Sequence, residues 1–235
     1  MTVEPERLSR NLTRVRSRMQ TACERASRSV DAVTLVAVTK TVGLEEARTL
    51  ATLGVADLGE NRVQELVRKT SSLAELPVRW HMIGHLQRNK VKKLLPSSTI
   101  VHSLESSDLA DVLSRRAAAL GIEVDVLIEV NVSGEEQKYG VAPEEAATLA
   151  EKVAALPALK LRGLMTMAPF LGAGGPETAE ELRPLFAGLR ELARTLARNL
   201  PEGAMSELSM GMTQDFEVAI EEGATMVRIG SALFA

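Results

Sequence analysis

The chain has 235 residues, 45% of them hydrophobic and 25% charged, with a net charge of −3, which is ordinary for a soluble globular protein of one large or two small domains. This slight acidity removes any global electrostatic case for nucleic acid or an anionic membrane surface, and 3% aromatic residues argue against base-stacking platforms. A single cysteine, Cys23, forbids an internal disulfide, no apolar run reaches membrane-spanning length, and the first residues do not read as a signal peptide, so a cytoplasmic location is expected.

Residues 5–27 read as an amphipathic helix, because Leu8, Leu12, Val15, Met19 and Cys23 recur at helical spacing among Arg, Glu and Ser. That stripe makes Cys23 a core residue rather than a reactive thiol. From residue 33 onward short apolar runs alternate with amphipathic segments. The runs are 34–39, 56–59, 79–83, 99–103, 124–131, 160–165, 205–209 and 225–229. Helical stretches are expected at 44–53, 61–73, 87–95, 106–120, 143–156, 177–199 and 214–222. Strand–helix alternation implies a parallel sheet, and eight such units without a long break predict an α/β protein forming a single closed (β/α)8 barrel, a TIM barrel, over residues 1–235 with an extra N-terminal helix. No helix is expected after the eighth strand, and the N-terminal helix is the candidate to fill that place. Gly172-Ala173-Gly174-Gly175-Pro176 lacks Walker or Rossmann spacing and reads as a flexible loop.

In a barrel, chemistry collects at the C-terminal strand ends. Lys40 ends the first apolar run, Leu35-Val36-Ala37-Val38-Thr39-Lys40. An amine there is expected to be partly desolvated, which frees its lone pair and suits a Schiff-base nucleophile. The plainer alternative is a solvated charge. The seventh and eighth runs end in Ser209-Met210-Gly211-Met212-Thr213 and Arg228-Ile229-Gly230-Ser231. Hydroxyls, glycines and a guanidinium after strands seven and eight suit a phosphate site, while ordinary turn and N-cap chemistry explains the same spacing equally well. Taken with Lys40 they describe a pocket for a phosphorylated carbonyl compound, for which pyridoxal 5′-phosphate is the evident candidate. His81 and His85 have a metal-pair spacing, but on a strand they stand roughly 13 Å apart, too far to share one ion, so no metal site is expected and His85 reads as a pocket residue. Arg88, Lys90, Lys92 and Lys93 read as a solvated helix face ahead of a partner patch.

The stretches Leu35–Thr41, Gly59-Glu60-Asn61-Arg62-Val63-Gln64-Glu65, Trp80-His81-Met82-Ile83-Gly84-His85-Leu86-Gln87-Arg88-Asn89-Lys90, Arg162-Gly163-Leu164-Met165, Leu208-Ser209-Met210-Gly211-Met212-Thr213 and Met226-Val227-Arg228-Ile229-Gly230 together resemble the pyridoxal phosphate homeostasis protein family. That family is similar to the N-terminal barrel of alanine racemases. The resemblance implies that Lys40 carries pyridoxal 5′-phosphate covalently as an internal aldimine. It also implies that Ser209, Gly211, Met212, Thr213 and Gly230 hold the phosphate, that Arg228 lies by the pyridine nitrogen, and that Asn61, His85 and Met165 lie near the ring. Thr213 stands where serine is common, which keeps the hydroxyl.

The expected function is a non-catalytic protein that binds, stores and delivers the cofactor, as a monomer, with apo forms of cofactor-dependent enzymes as recipients. The alternatives are a racemase-like enzyme and, further off, a cofactor-free Schiff-base aldolase on Lys40. An arginine on the ring nitrogen cannot readily give up a proton, so the ring stays a poor electron sink. A racemase also needs an acid/base on each face of the substrate carbon. The single tyrosine, Tyr139, lies in Ser133-Gly134-Glu135-Glu136-Gln137-Lys138-Tyr139-Gly140 after the fifth run and reads as a loop anchor before a base.

Overall fold

In the computed structural model, eight parallel strands pair in strict chain order and the eighth closes onto the first, as the (β/α)8 reading expects. The structure describes residues 3–97, 99–135, 137–172 and 175–235. The strands are β1 Thr34–Val38, β2 Asp57–Glu60, β3 Arg79–Met82, β4 Thr99–Leu104, β5 Val124–Glu129, β6 Leu159–Met165, β7 Glu207–Ser209 and β8 Met226–Ile229. The helices are α1 Pro5–Arg25, α2 Leu44–Thr52, α3 Val63–Ser72, α4 Val91–Leu94, α5 Ser107–Leu120, α6 Ala146–Ala155, α7 Arg183–Leu196, α8 Phe216–Glu221 and α9 Ser231–Phe234. Ala173 and Gly174 of the expected flexible loop lie outside the described residues.

Three expected helices are shorter than their apolar patterns. Residues 87–95 hold only the four-residue α4 between two 3-10 turns, and α6 and α7 are each preceded by a 3-10 turn. Proline within the first two positions of α7 fits this boundary, since its ring fixes a helical φ and needs no hydrogen-bonded amide. The chain also differs from expectation after β8, where α9 follows directly. The helix α1 packs against α2, α8 and α9 and so covers the side where β8 meets β1. Its stripe of Leu8, Leu12, Val15, Met19 and Cys23 is buried as predicted. Arg18 crosses to α8, where it bonds Glu217 at 2.6 Å and lies 4.6 Å over the Phe216 ring.

Two apolar cores result. The large one fills the space between strands and helices, while Val36, Leu127, Met165 and Met226 form a separate small cluster inside the barrel. The lateral register pairs Val36 with both Asp57 and Arg228, so these three side chains share the inner face. The rest of that interior is unusually polar. Asp57, His81, His102, Ser209 and Arg228 are all buried, which is tolerable only if every one of them is hydrogen-bonded.

Candidate functional site

Lys40 lies two residues past the end of β1, at the C-terminal mouth of the barrel. Its side chain is exposed, so the expected partial desolvation is not found: the strand ends two residues earlier and the turn carries Lys40 outward. What holds this turn is a residue with no obvious role in the sequence. Lys69, on α3, is only 1% exposed, and its ammonium donates to Thr39 O at 2.7 Å, Val42 O at 2.9 Å and Glu60 Oε1 at 2.5 Å. All three donors of the amine are thus used. The Thr39 hydroxyl donates to the same Glu60 oxygen at 2.6 Å. Lys69 therefore ties down the backbone on both sides of Lys40. Its signal was present but weak: Lys69 interrupts the stripe formed by Leu66 and Leu73, where a charge is out of place unless it is paired.

The loops after β7 and β8 meet at the mouth. Gly211 has φ +94°, and a Cβ there would lie 2.6 Å from the Ala219 Cβ and 3.0 Å from the Phe216 Cα, so only glycine fits. The Met212 amide is not free, since it donates to Asp215 Oδ1 at 2.5 Å. Burial pushes the Asp215 carboxyl above its ordinary range despite that amide and the nearby Arg228. Thr213 Oγ1 accepts the Ala232 amide at 3.4 Å, which joins the two loops. Gly230 packs against Val38 of β1, two residues before Lys40. The strand register therefore brings Lys40 and the glycine-containing loops to one corner of the mouth.

Arg228 lies beneath them and is buried, 4% exposed. Its Nη1 donates to Ser209 Oγ at 2.6 Å and Ser209 O at 2.8 Å, and its Nη2 donates to Thr166 O at 2.8 Å. Burial lowers its pKa to about 10, with Asp215 and Glu129 opposing, so it remains a cation at neutral pH. Ser209, expected at the phosphate, faces inward. Its hydroxyl is buried in the barrel and engaged by Arg228 and by His102 Nδ1 at 2.9 Å, because a β7 residue on the inner face points at the barrel axis. The contacts continue inward, from His102 Nε2 to His81 Nδ1 at 2.8 Å and from His81 Nε2 to Asp57 Oδ1 at 2.8 Å.

At the rim, His85 Nδ1 sits 2.8 Å from Glu105 Oε1, and its ring stacks on Tyr139 at 4.2 Å between centroids. Tyr139 is 58% exposed, with this stack as its contact on the rim. Asn61 lies beside His85 through Gly84, where a Cβ would meet the Asn61 carbonyl oxygen at 2.4 Å. Met165 is buried below in the small interior cluster. Glu129, which ends β5 on the inner face, is 5% exposed. Burial, reinforced by Glu105 and opposed by Arg228, raises its carboxyl to about 7. His81 and His85 do not converge: one is in the interior line and the other on the rim. Among the described residues no group of His, Cys, Asp and Glu could hold a metal ion. Of the basic run, Lys92 and Lys93 are exposed and Arg88 pairs with Asp108 at 2.6 Å.

The family model described as the alanine racemase N-terminal domain matches residues 7–235. The pyridoxal phosphate homeostasis protein of Aquifex aeolicus is 49% identical over 223 residues, covering 95% of each chain. That of Pseudomonas aeruginosa is 42% identical over 230 residues, 97% of this chain and 94% of the relative. Among solved structures, PipY of Synechococcus elongatus with PLP bound superposes with a TM-score of 0.82 at 33% identity, covering 97% of this chain and 100% of that one.

Proposed function

The chain belongs to the pyridoxal phosphate homeostasis protein family, within the alanine racemase N-terminal domain fold, and we propose that it binds pyridoxal 5′-phosphate covalently through Lys40 and takes part in storing and delivering it. The observation that carries this reading is the meeting of an exposed lysine amine, a glycine-lined loop pair and an enclosed arginine at one corner of the mouth. Bound pyridoxal phosphate supplies an aldehyde, a phosphate dianion and a pyridine nitrogen. Each has a counterpart here. Lys40 offers the amine. Gly211, Thr213 and Gly230 offer close backbone approach and a hydroxyl, with Met212 completing the loop. Arg228 offers a guanidinium that only donates. We assign Asn61, His85 and Met165 to the surroundings of the ring. Ser209 acts through Arg228 rather than on the phosphate, since its hydroxyl is already engaged.

The family is named for homeostasis rather than for a reaction. Storage without robust turnover is supported by Arg228, which stays charged and keeps a ring nitrogen opposite it unprotonated. It is further supported by Tyr139, the sole tyrosine, which stacks on His85 instead of standing free as a second acid/base. The racemase-like alternative is not favoured. The partners we assign are the cofactor and apo enzymes that receive it, with the chain acting as one monomeric unit in the cytoplasm. The lone buried cysteine fits that compartment, and no described helix is long and apolar enough to cross a membrane.

The test is the absorption spectrum before and after borohydride, followed by peptide mapping. A visible band that bleaches, with the label on Lys40 and lost in Lys40→Ala, is the expected result. A reducible adduct that persists in Lys40→Ala overturns the assignment.

A further inference from the structure

The buried line through the barrel has two ends of opposite and inflexible character. Arg228 has donors and no acceptor, and it donates to Ser209 Oγ at 2.6 Å. Asp57 closes the other end. Burial alone would raise its carboxyl, but hydrogen bonds from His81 and Arg79 outweigh burial and hold it below the ordinary range. It is therefore an ionised acceptor with no donor. Between these ends, Ser209, His102 and His81 each touch one neighbour on either side, at 2.9, 2.8 and 2.8 Å.

The two ends determine where each proton lies. Ser209 Oγ accepts from Arg228, so its single hydrogen is directed at His102 Nδ1. His102 then carries its proton on Nε2 and donates to His81 Nδ1. His81 carries its proton on Nε2 and donates to Asp57. The reverse order would place two donors on Ser209 and leave its own hydrogen without a partner among the described residues. It would also require a doubly protonated His81 beside His102. Burial, with the Arg228 charge acting in the same direction, keeps His102 itself neutral, well below the ordinary imidazole range.

We propose that Asp57, His81 and His102 are positioning residues, a one-way hydrogen-bond relay that presents the Ser209 oxygen to Arg228 as an acceptor and so fixes the guanidinium at the mouth. The relay crosses the barrel from its N-terminal end, where Arg79 reaches Asp57 through Nε at 2.8 Å and Nη2 at 2.9 Å with its side chain 63% exposed. Asp57 thus fixes, from the far end of the barrel, a group that it does not touch. The value of the relay for the cofactor rests on the proposed function, whereas its proton order is a property of the ligand-free chain.

The experiment is 15N NMR of the histidine rings in the ligand-free protein. With only three histidines in the chain, the rings are assigned by single substitution, and pyridoxal 5′-phosphate titrations follow. His81 and His102 are expected as pure Nε2–H tautomers. Asp57→Asn removes the anionic end. It is expected to give mixed tautomers and to weaken pyridoxal phosphate binding about tenfold, the lower end of what losing an outer orienting partner costs a metal ligand. An Nδ1–H tautomer at either buried ring of the unaltered protein overturns the relay, and this holds even if Asp57→Asn does not fold. So does an Asp57→Asn protein with unchanged tautomers and affinity. If the unaltered protein takes up no pyridoxal phosphate, the proposed function fails, while the tautomers still decide the relay.

Discussion

Replacing Glu129 with glutamine removes one ionisation from the floor of the mouth and leaves the side-chain shape intact. Burial raises the Glu129 carboxyl from its ordinary 4.5 to about 7, Glu105 pushes in the same direction, and Arg228 only partly offsets them. A folded-state pKa above the unfolded one means that the native chain holds this proton more tightly. Stability from that source is fully present below pH 4.5 and is lost as pH rises through about 7. At about 1.36 kcal/mol per pKa unit, the difference amounts to about 3 kcal/mol. Glu129→Gln keeps a neutral group at every pH and escapes this loss. Urea denaturation of both proteins between pH 4.5 and 8.5 should therefore show a stability difference that grows by about 3 kcal/mol in favour of the variant, most of it between the two pKa values. A difference constant to within about 0.5 kcal/mol across that range, the usual additivity error, would falsify the reasoning. Glu129 would then be solvated or neutralised in a way that its enclosed place at the end of β5 does not provide.

Lys69→Met should cost about 3–5 kcal/mol, because it leaves the Glu60 carboxylate buried without its ion partner; a loss under about 1 kcal/mol in urea would refute the buried ion pair. Gly211→Ala should destabilise by about 1–3 kcal/mol from its positive φ alone, and by more if Ala219 cannot withdraw from the added methyl. An unchanged melting temperature would show that this turn relaxes freely.

Much of the architecture was legible because it rests on periodicity. Eight apolar runs alternating with amphipathic stretches require a parallel sheet with helices outside, and every run corresponds to an observed strand to within a few residues. The α1 stripe was readable for the same reason: burial of one helix face imposes a local 3.6-residue repeat on the sequence. That Lys40 and the β7 and β8 loops share one end of the barrel was readable too, since a (β/α)8 fold gathers those strand ends at one face. The separation of His81 from His85 also followed from strand rise alone.

What the sequence did not reveal depends on groups far apart along the chain. Lys69 carried no reading of its own in the sequence, and the fold sets its ammonium against Thr39, 30 residues away. Ser209 is expected at the phosphate from its hydroxyl and its place after β7, and nothing local signals that barrel closure sets that hydroxyl against His102, 107 residues away. The sequence by itself determined the order of elements and the positions of Lys40 and the small residues at the strand ends, all of which follow from short-range spacing. Only the tertiary structure decided which polar side chains share the barrel interior. The physical reason is that strand register and closure set the partners of a buried donor or acceptor, and a lone residue carries no record of either.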